Sequence, residues 1–219
     1  MSTPFQRYAI TDRLRILSAG GNYASGDPAA AQLAALIRQA QQLASQGVDY
    51  LQLREKDLPA ATIASLARNL RNTLRGFSTR LLINSRADIA VATASHGVHL
   101  TSSSDELTPR QGHDLYATAN LPPPIVTISC HTLADVTRHR MEPVAAILFG
   151  PVFEKVVSLR ASADSARLQG TGLEHLHEAC QAAAPIPVYA LGGLTSDRIA
   201  NCLKAGASGV AGIRLFSQF

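Results

Sequence analysis

Leu51-Gln-Leu-Arg-Glu-Lys-Asp57 and Leu81-Leu-Ile-Asn-Ser85 each run from apolar residues straight into polar, reactive ones. A strand that ends this way carries functional side chains to one edge of a sheet. Further short apolar runs end in the same manner at Asp12, His99, Ser129, Gly150 and Gly192. The repetition predicts a parallel α/β barrel whose chemistry lies on one rim.

Working outward from these two stretches, the pattern predicts strands at Arg7–Ile10, Val48–Leu53, Arg80–Ile83, Gly97–Leu100, Ile125–Ile128, Ala145–Phe149, Pro187–Leu191 and Gly209–Ile213. Helical spacing falls between them at Ala29–Ser45, Ala60–Leu74, Ala87–Ala94, Leu133–Arg140, Leu173–Ala183 and Ser196–Ala205, with a brief helix after Pro109. Asp27-Pro28 reads as an N-cap followed by Pro at the first helical position, and Gly47 as a helix stop. Residues 18–28, 101–124 and 154–171 read as loops. Strands alternating with helices in this order predict a TIM (β/α)₈ barrel, a single domain over residues 1–219. No ordinary eighth helix follows the last strand, so that helix is expected to be reduced or missing.

Composition narrows the function. Hydrophobic residues make up 46% of the chain and charged residues 16%, enough apolar material for a large core. The net charge of +4 is spread along the chain, and there is no Trp. Nucleic acid is therefore not expected as a partner, since neither a basic stripe nor stacking aromatics are present. No apolar stretch is long enough to span a membrane, and the N-terminus has no export signal. Cys130, Cys180 and Cys202 are an odd set without paired spacing and read as reduced thiols of a cytoplasmic protein.

Candidate site residues cluster at the strand ends. Gln52, Arg54 and Lys56 are two apart and would face one side of an extended strand, where an anionic ligand would satisfy them. The competing reading pairs Arg54 with Glu55, Asp57 or Asp12. Gly192-Gly193 after the seventh strand, with Ile213 and Arg214 after the eighth, offer backbone amides and charge to a phosphate. His131, just past Ser129 and Cys130, is a rim acid/base candidate. His99 fits a pocket role or core packing equally. Adjacent strand residues face opposite ways, which argues against Cys130 and His131 as a nucleophile–base pair. No Cys/His spacing indicates zinc.

Tyr8-Ala-Ile-Thr-Asp12, Leu51–Asp57, Leu82-Ile-Asn84, Gly97-Val-His-Leu100, Ile128-Ser-Cys-His-Thr132, Phe149-Gly-Pro-Val-Phe153, Ala190-Leu-Gly-Gly-Leu194 and Ala205-Gly-Ala-Ser-Gly-Val210 together resemble the thiamine-phosphate synthase / TenI family. The resemblance spans nearly the whole chain. It implies a homodimeric TIM barrel that handles a small phosphorylated thiazole, with Asn84, Ser129 and Gly150 joining the substrate-binding set. The synthases of this family couple a pyrimidine pyrophosphate to thiazole phosphate with Mg²⁺. Their pattern has Asn-Asp where this chain has Asn84-Ser85, and an Asp soon after the fourth strand where this chain has Thr101-Ser-Ser-Ser-Asp105. Their Pro-Thr-x-Thr-Lys stretch reads Glu154-Lys-Val-Val-Ser158 here, with Lys155 and Ser158 at the Thr and Lys positions. TenI-type proteins lack the same acidic pair and carry Phe-Glu at the turn, as Phe153-Glu154 does. The resemblance therefore leans to a TenI-type thiazole tautomerase: His131 relays a proton, Gly192, Gly193, Ile213 and Arg214 hold the phosphate, and neither metal nor cofactor is required. One alternative is a Mg²⁺-dependent synthase with a metal site rebuilt around Asp105 or Glu154. Another is a non-catalytic ligand-binding barrel.

Overall fold

The computed structural model describes residues 5–17, 27–103, 105–158 and 165–217. Eight parallel strands close on themselves in the order β1-β10-β9-β6-β5-β4-β3-β2. They are β1 (Gln6–Ile10), β2 (Tyr50–Leu53), β3 (Arg80–Asn84), β4 (Gly97–Leu100), β5 (Ile125–Cys130), β6 (Ala146–Phe149), β9 (Val188–Leu191) and β10 (Gly209–Gly212). The helices are α1 (Arg13–Leu17), α2 (Pro28–Ser45), α3 (Ala60–Thr73), α4 (Ala87–Ala92), α5 (Pro109–Thr118), α6 (Leu133–His139), α7 (Gly172–Ala183) and α8 (Ile199–Lys204). The expected barrel is the observed one. Among the described residues no helix is long and apolar enough to cross a membrane.

Two apolar layers hold this arrangement. Tyr8, Ile10, Leu82, Ala146, Leu148, Tyr189 and Ala211 fill the barrel interior. Their neighbours in sequence, such as Ala9, Leu81, Ile83, Ile147 and Val210, face the helices and pack on Leu36, Leu66, Leu70, Ala90 and Leu176. The period of two along each strand divides the side chains between these layers. The interior becomes polar towards the C-terminal ends of the strands, where Gln52, His99, Thr127 and Ser129 are buried.

The departures from expectation have local causes. β2 begins at Tyr50 because Val48 is used to end α2: its N–H bonds to Leu43 O at 3.1 Å and that of Gly47 to Ala44 O at 3.0 Å. This is the paired 6→1 and 5→2 closure that a left-handed C′ residue permits, and Gly47 has φ 78°. β5 runs two residues past Ile128 to Cys130. α5 is a helix of 10 residues, started by a capping box between Thr108 and Gln111. The stretch expected as a polar loop contains an antiparallel hairpin, β7 (Lys155–Ser158) with β8 (Ser165–Leu168). α1 was not expected at all. The expected loop at 18–28 lies outside the described residues but for its last two, which cap and start α2. After β10 the chain makes one 3₁₀ turn, Arg214–Phe216.

Candidate active site

A polar column rises through the barrel towards the rim. Tyr8 Oη lies 3.0 Å from Thr127 Oγ1, which lies 2.9 Å from His99 Nδ1. His99 Nε2 in turn meets Ser129 Oγ at 2.9 Å. The ring is only 3% exposed. Burial, with the nearby Arg54 guanidinium adding to it, pushes the His99 pKa down to about 3. The imidazole is therefore neutral at physiological pH and occupied on both nitrogens. It supports the floor of the site, and Ser129 is turned inward to hold it. Ser129 and His99 are thus held together by a buried hydrogen bond at the base of the rim.

A second chain of hydrogen bonds leads outward. Gln52, 1% exposed, donates from Nε2 to Asn84 Oδ1 at 2.7 Å. Asn84 Nδ2 donates to Ser85 Oγ at 3.2 Å, and Ser85 Oγ donates to Glu106 Oε2 at 2.9 Å. Thr101 donates to the same oxygen from Oγ1 at 3.1 Å and from its N–H at 3.3 Å. Glu106, not the Asp105 considered from the sequence, is thereby the carboxylate anchored across the ends of β3 and β4. Asp105 is exposed, and Glu154 pairs with the exposed Arg167 at 3.1 Å. Gln52 Oε1 is buried with no partner among the described residues, an acceptor awaiting a donor. Among those residues no three of His, Cys, Asp and Glu are grouped to share a metal ion.

The charged turn after β2 is organised by a residue that sequence reasoning missed. Arg13, on α1, donates from Nη1 to Glu55 Oε2 at 2.9 Å, and reaches Asp57 with Nη1 at 2.9 Å and Nη2 at 2.6 Å. Its backbone N–H also meets Glu55 Oε1 at 3.1 Å. Arg13 thus bonds to both acids that the competing reading offers to Arg54. The available signal was the alternation Arg54-Glu55-Lys56-Asp57, whose two acids also need a cation. The Arg54 N–H is held by Thr11 Oγ1 at 2.9 Å. β2 ends at Leu53, so Arg54 and Lys56 lie in the turn rather than on the strand with Gln52. Lys56 is exposed there.

His131 stands exposed just past β5, with its N–H on Asp135 Oδ2 at 3.1 Å. Its Nδ1 contacts the Gly150 carbonyl. A carbonyl only accepts, so Nδ1 is the donor here, and in the neutral ring Nε2 is then the acceptor. Gly150 lacks a side chain for a packing reason: a Cβ there would sit 1.9 Å from Leu191 O. Cys130 is fully buried, and burial pushes its thiol up to about 12, which removes it as a nucleophile. Beside β6, Gly192 and Gly193 follow β9 with φ 94° and 64°, and Ile213 and Arg214 follow β10. The structure thus sets the candidate residues around one rim, at the C-terminal ends of the barrel strands.

This chain is similar to known proteins over nearly its whole length. The family model described as thiamine monophosphate synthase (TMP-TENI) matches residues 26–216. The chain is 33% identical over 212 residues to "Putative thiamine-phosphate synthase 2" of Aquifex aeolicus, covering 96% of this chain and 97% of that protein. It is 35% identical over 207 residues to "Putative thiamine-phosphate synthase" of Geobacter sulfurreducens, covering 94% and 84%. A solved structure titled thiamine phosphate pyrophosphorylase, from Pyrococcus furiosus, superposes with a TM-score of 0.73 at 21% identity, over 98% of this chain and 88% of that one. At that identity the superposition speaks for the fold. The family match and the two relatives carry the further step, and this chain belongs to the thiamine monophosphate synthase family.

Proposed function

We propose that this protein is a thiamine-phosphate synthase, joining a pyrimidine pyrophosphate to a thiazole phosphate with release of pyrophosphate. The observation that carries this reading is the Glu106 carboxylate, anchored by Ser85 and Thr101 across the ends of β3 and β4. The sequence leans towards the tautomerase because Asn84-Ser85, the displaced Asp105, the changed Glu154–Ser158 stretch and Phe153-Glu154 depart from the synthase pattern. The relatives' names support the same choice.

Mg²⁺ is commonly held by one or two carboxylates together with substrate phosphates, and so needs few protein ligands. Glu106 supplies one carboxylate, and its position suits such an ion. Bound there, the ion would offset negative charge on the leaving pyrophosphate. The chain's own residues orient the two halves. The unpaired Gln52 Oε1 takes a ring-edge donor, and Arg54 and Lys56 bring positive charge to the diphosphate. The turns at Gly192-Gly193 and Ile213-Arg214 receive the thiazole phosphate. Holding both halves in line supplies most of what a displacement with a good leaving group requires.

The tautomerase reading keeps one observation in its favour. The Nδ1 contact with Gly150 O orients the exposed His131 ring with Nε2 as its other polar atom, which would relay the proton. The assay mixes protein, Mg²⁺ and both phosphorylated halves, and measures thiamine phosphate. The synthase reading expects product from the wild type and little from Glu106→Gln. Absence of product, with thiazole tautomer conversion that His131→Ala abolishes, would replace it with the second reading. Neither activity would leave the ligand-binding barrel.

A further inference from the structure

The turn that follows β9 is fixed from outside by a side chain that neither the family resemblance nor the proposed reaction uses. Arg198 donates from Nη1 to Gly193 O at 2.9 Å, and its guanidinium stacks over the Phe153 ring with Cζ 4.6 Å from the centroid. The same turn is laced to the segment after β6. Val152 N–H bonds to Leu191 O at 2.8 Å and Phe153 N–H to Gly192 O at 3.1 Å. The approach is so close that a Cβ on Gly193 would lie 2.5 Å from Glu154 O and 2.6 Å from Phe153 O. Gly193 also has φ 64°, in the left-handed region.

Two carbonyls are therefore held, one by a backbone amide and one by an arginine. In a planar trans peptide the N–H points opposite to the C=O. Tying Gly192 O to Phe153 turns the Gly193 N–H to the other side, and tying Gly193 O to Arg198 does the same for the Leu194 N–H. We propose that Arg198 is a positioning residue for anion binding: by holding the Gly193 carbonyl it aims the Leu194 amide, beside that of Gly193, at the thiazole phosphate. Phe153 completes the device. Its ring supports the flat guanidinium, and its own N–H holds the neighbouring carbonyl. The cation acts through the backbone and has no need to touch the ligand. The proposal rests on the reading of the Gly192-Gly193 turn as the phosphate site.

The test is titration calorimetry with thiazole phosphate and with the corresponding thiazole alcohol. The wild type should prefer the phosphate. Arg198→Ala should lose about tenfold in affinity for the phosphate, the worth of one charge-assisted hydrogen bond, and nothing for the alcohol. Arg198→Lys should recover part of the loss, since an ammonium donates to the carbonyl but does not stack flat on the ring. An equal loss for both ligands marks a merely structural residue and overturns the proposal, as does no loss for either. Should Arg198→Ala fail to fold, Phe153→Leu carries the test. It removes the ring support and leaves the donor, and a smaller loss confined to the phosphate is expected; no such loss overturns the proposal. A wild type that binds both ligands alike overturns the phosphate-site reading and this inference with it. A wild-type preference that Arg198→Ala preserves overturns this inference alone.

Discussion

Replacing Arg13 with Met should be among the most damaging single changes in the β1–β2 corner. The Arg13 side chain is 9% exposed and that of Glu55 2%, so the pair is effectively out of water. Asp57, at 36%, is half-open to solvent and tolerates the loss better. Removing one partner of a buried pair typically costs about 3–5 kcal/mol, because the other charge is left uncompensated. For a chain of this size that corresponds to a drop in Tm on the order of 10 °C. Urea unfolding of the wild type, Arg13→Met, Glu55→Gln and the double variant measures it. The double variant should recover most of the deficit, since a neutral amide at 55 still accepts the residue-13 N–H.

The pH dependence of Arg13→Met carries a definite sign. Burial raises the Glu55 pKa, and hydrogen bonds from Thr11 and Arg13 pull it part of the way back. A carboxyl raised in the folded state contributes its stability below the unfolded value and loses it as pH rises through the folded value. Without Arg13 the raise is larger, so the deficit should be greatest at neutral pH and shrink towards about pH 4. A deficit below about 1 kcal/mol, as for an exposed pair, would refute this reasoning. So would a double variant as unstable as Arg13→Met.

Two further outcomes follow from the same geometry. Gly150→Ala places a Cβ 1.9 Å from the Leu191 carbonyl, a backbone atom with no room to yield; it should cost at least the ~1–3 kcal/mol of an overpacked core, and near-wild-type stability in a thermal melt would contradict the packing described. The His99 ring, held between two hydroxyls with its pKa at about 3, should give NMR shifts that stay flat between about pH 5 and 8; an inflection near the ordinary value of about 6.5 would place the ring in contact with solvent.

The barrel was legible in the sequence because its strands are short apolar runs that end in polar residues, and that punctuation repeats. The elements that escaped notice lack a period to read. α1 spans 5 residues, barely more than one turn. The β7–β8 hairpin, Lys-Val-Val-Ser against Ser-Ala-Arg-Leu, has no consistent apolar face, and its pairing rests on backbone groups that any sequence carries.

The site divides along the same line. Alternation, used on the sequence to separate Cys130 from His131, holds along β5, where Ser129 turns to His99 and Cys130 to the buried layer facing the helices, while His131 lies just past the strand. The rule failed where the strand stops. Past Leu53 the alternation of Arg54, Glu55, Lys56 and Asp57 no longer maps onto two faces of a sheet, and the acids turn back to Arg13, more than forty residues earlier in the chain. Glu106 was unreadable for a related reason. Its partners Ser85 and Thr101 follow two strands that pair side by side across the intervening helix, and the residues between Thr101 and Glu106 have no period that would say where a carboxylate lands. A spacing argument asks how far a residue lies from a motif along the chain. The rim asks how far it lies from the next strand, and in a parallel barrel the register between strands answers that. The proposed coupling reading therefore leans on one cross-strand contact, Ser85 with Glu106, which chain spacing did not reveal.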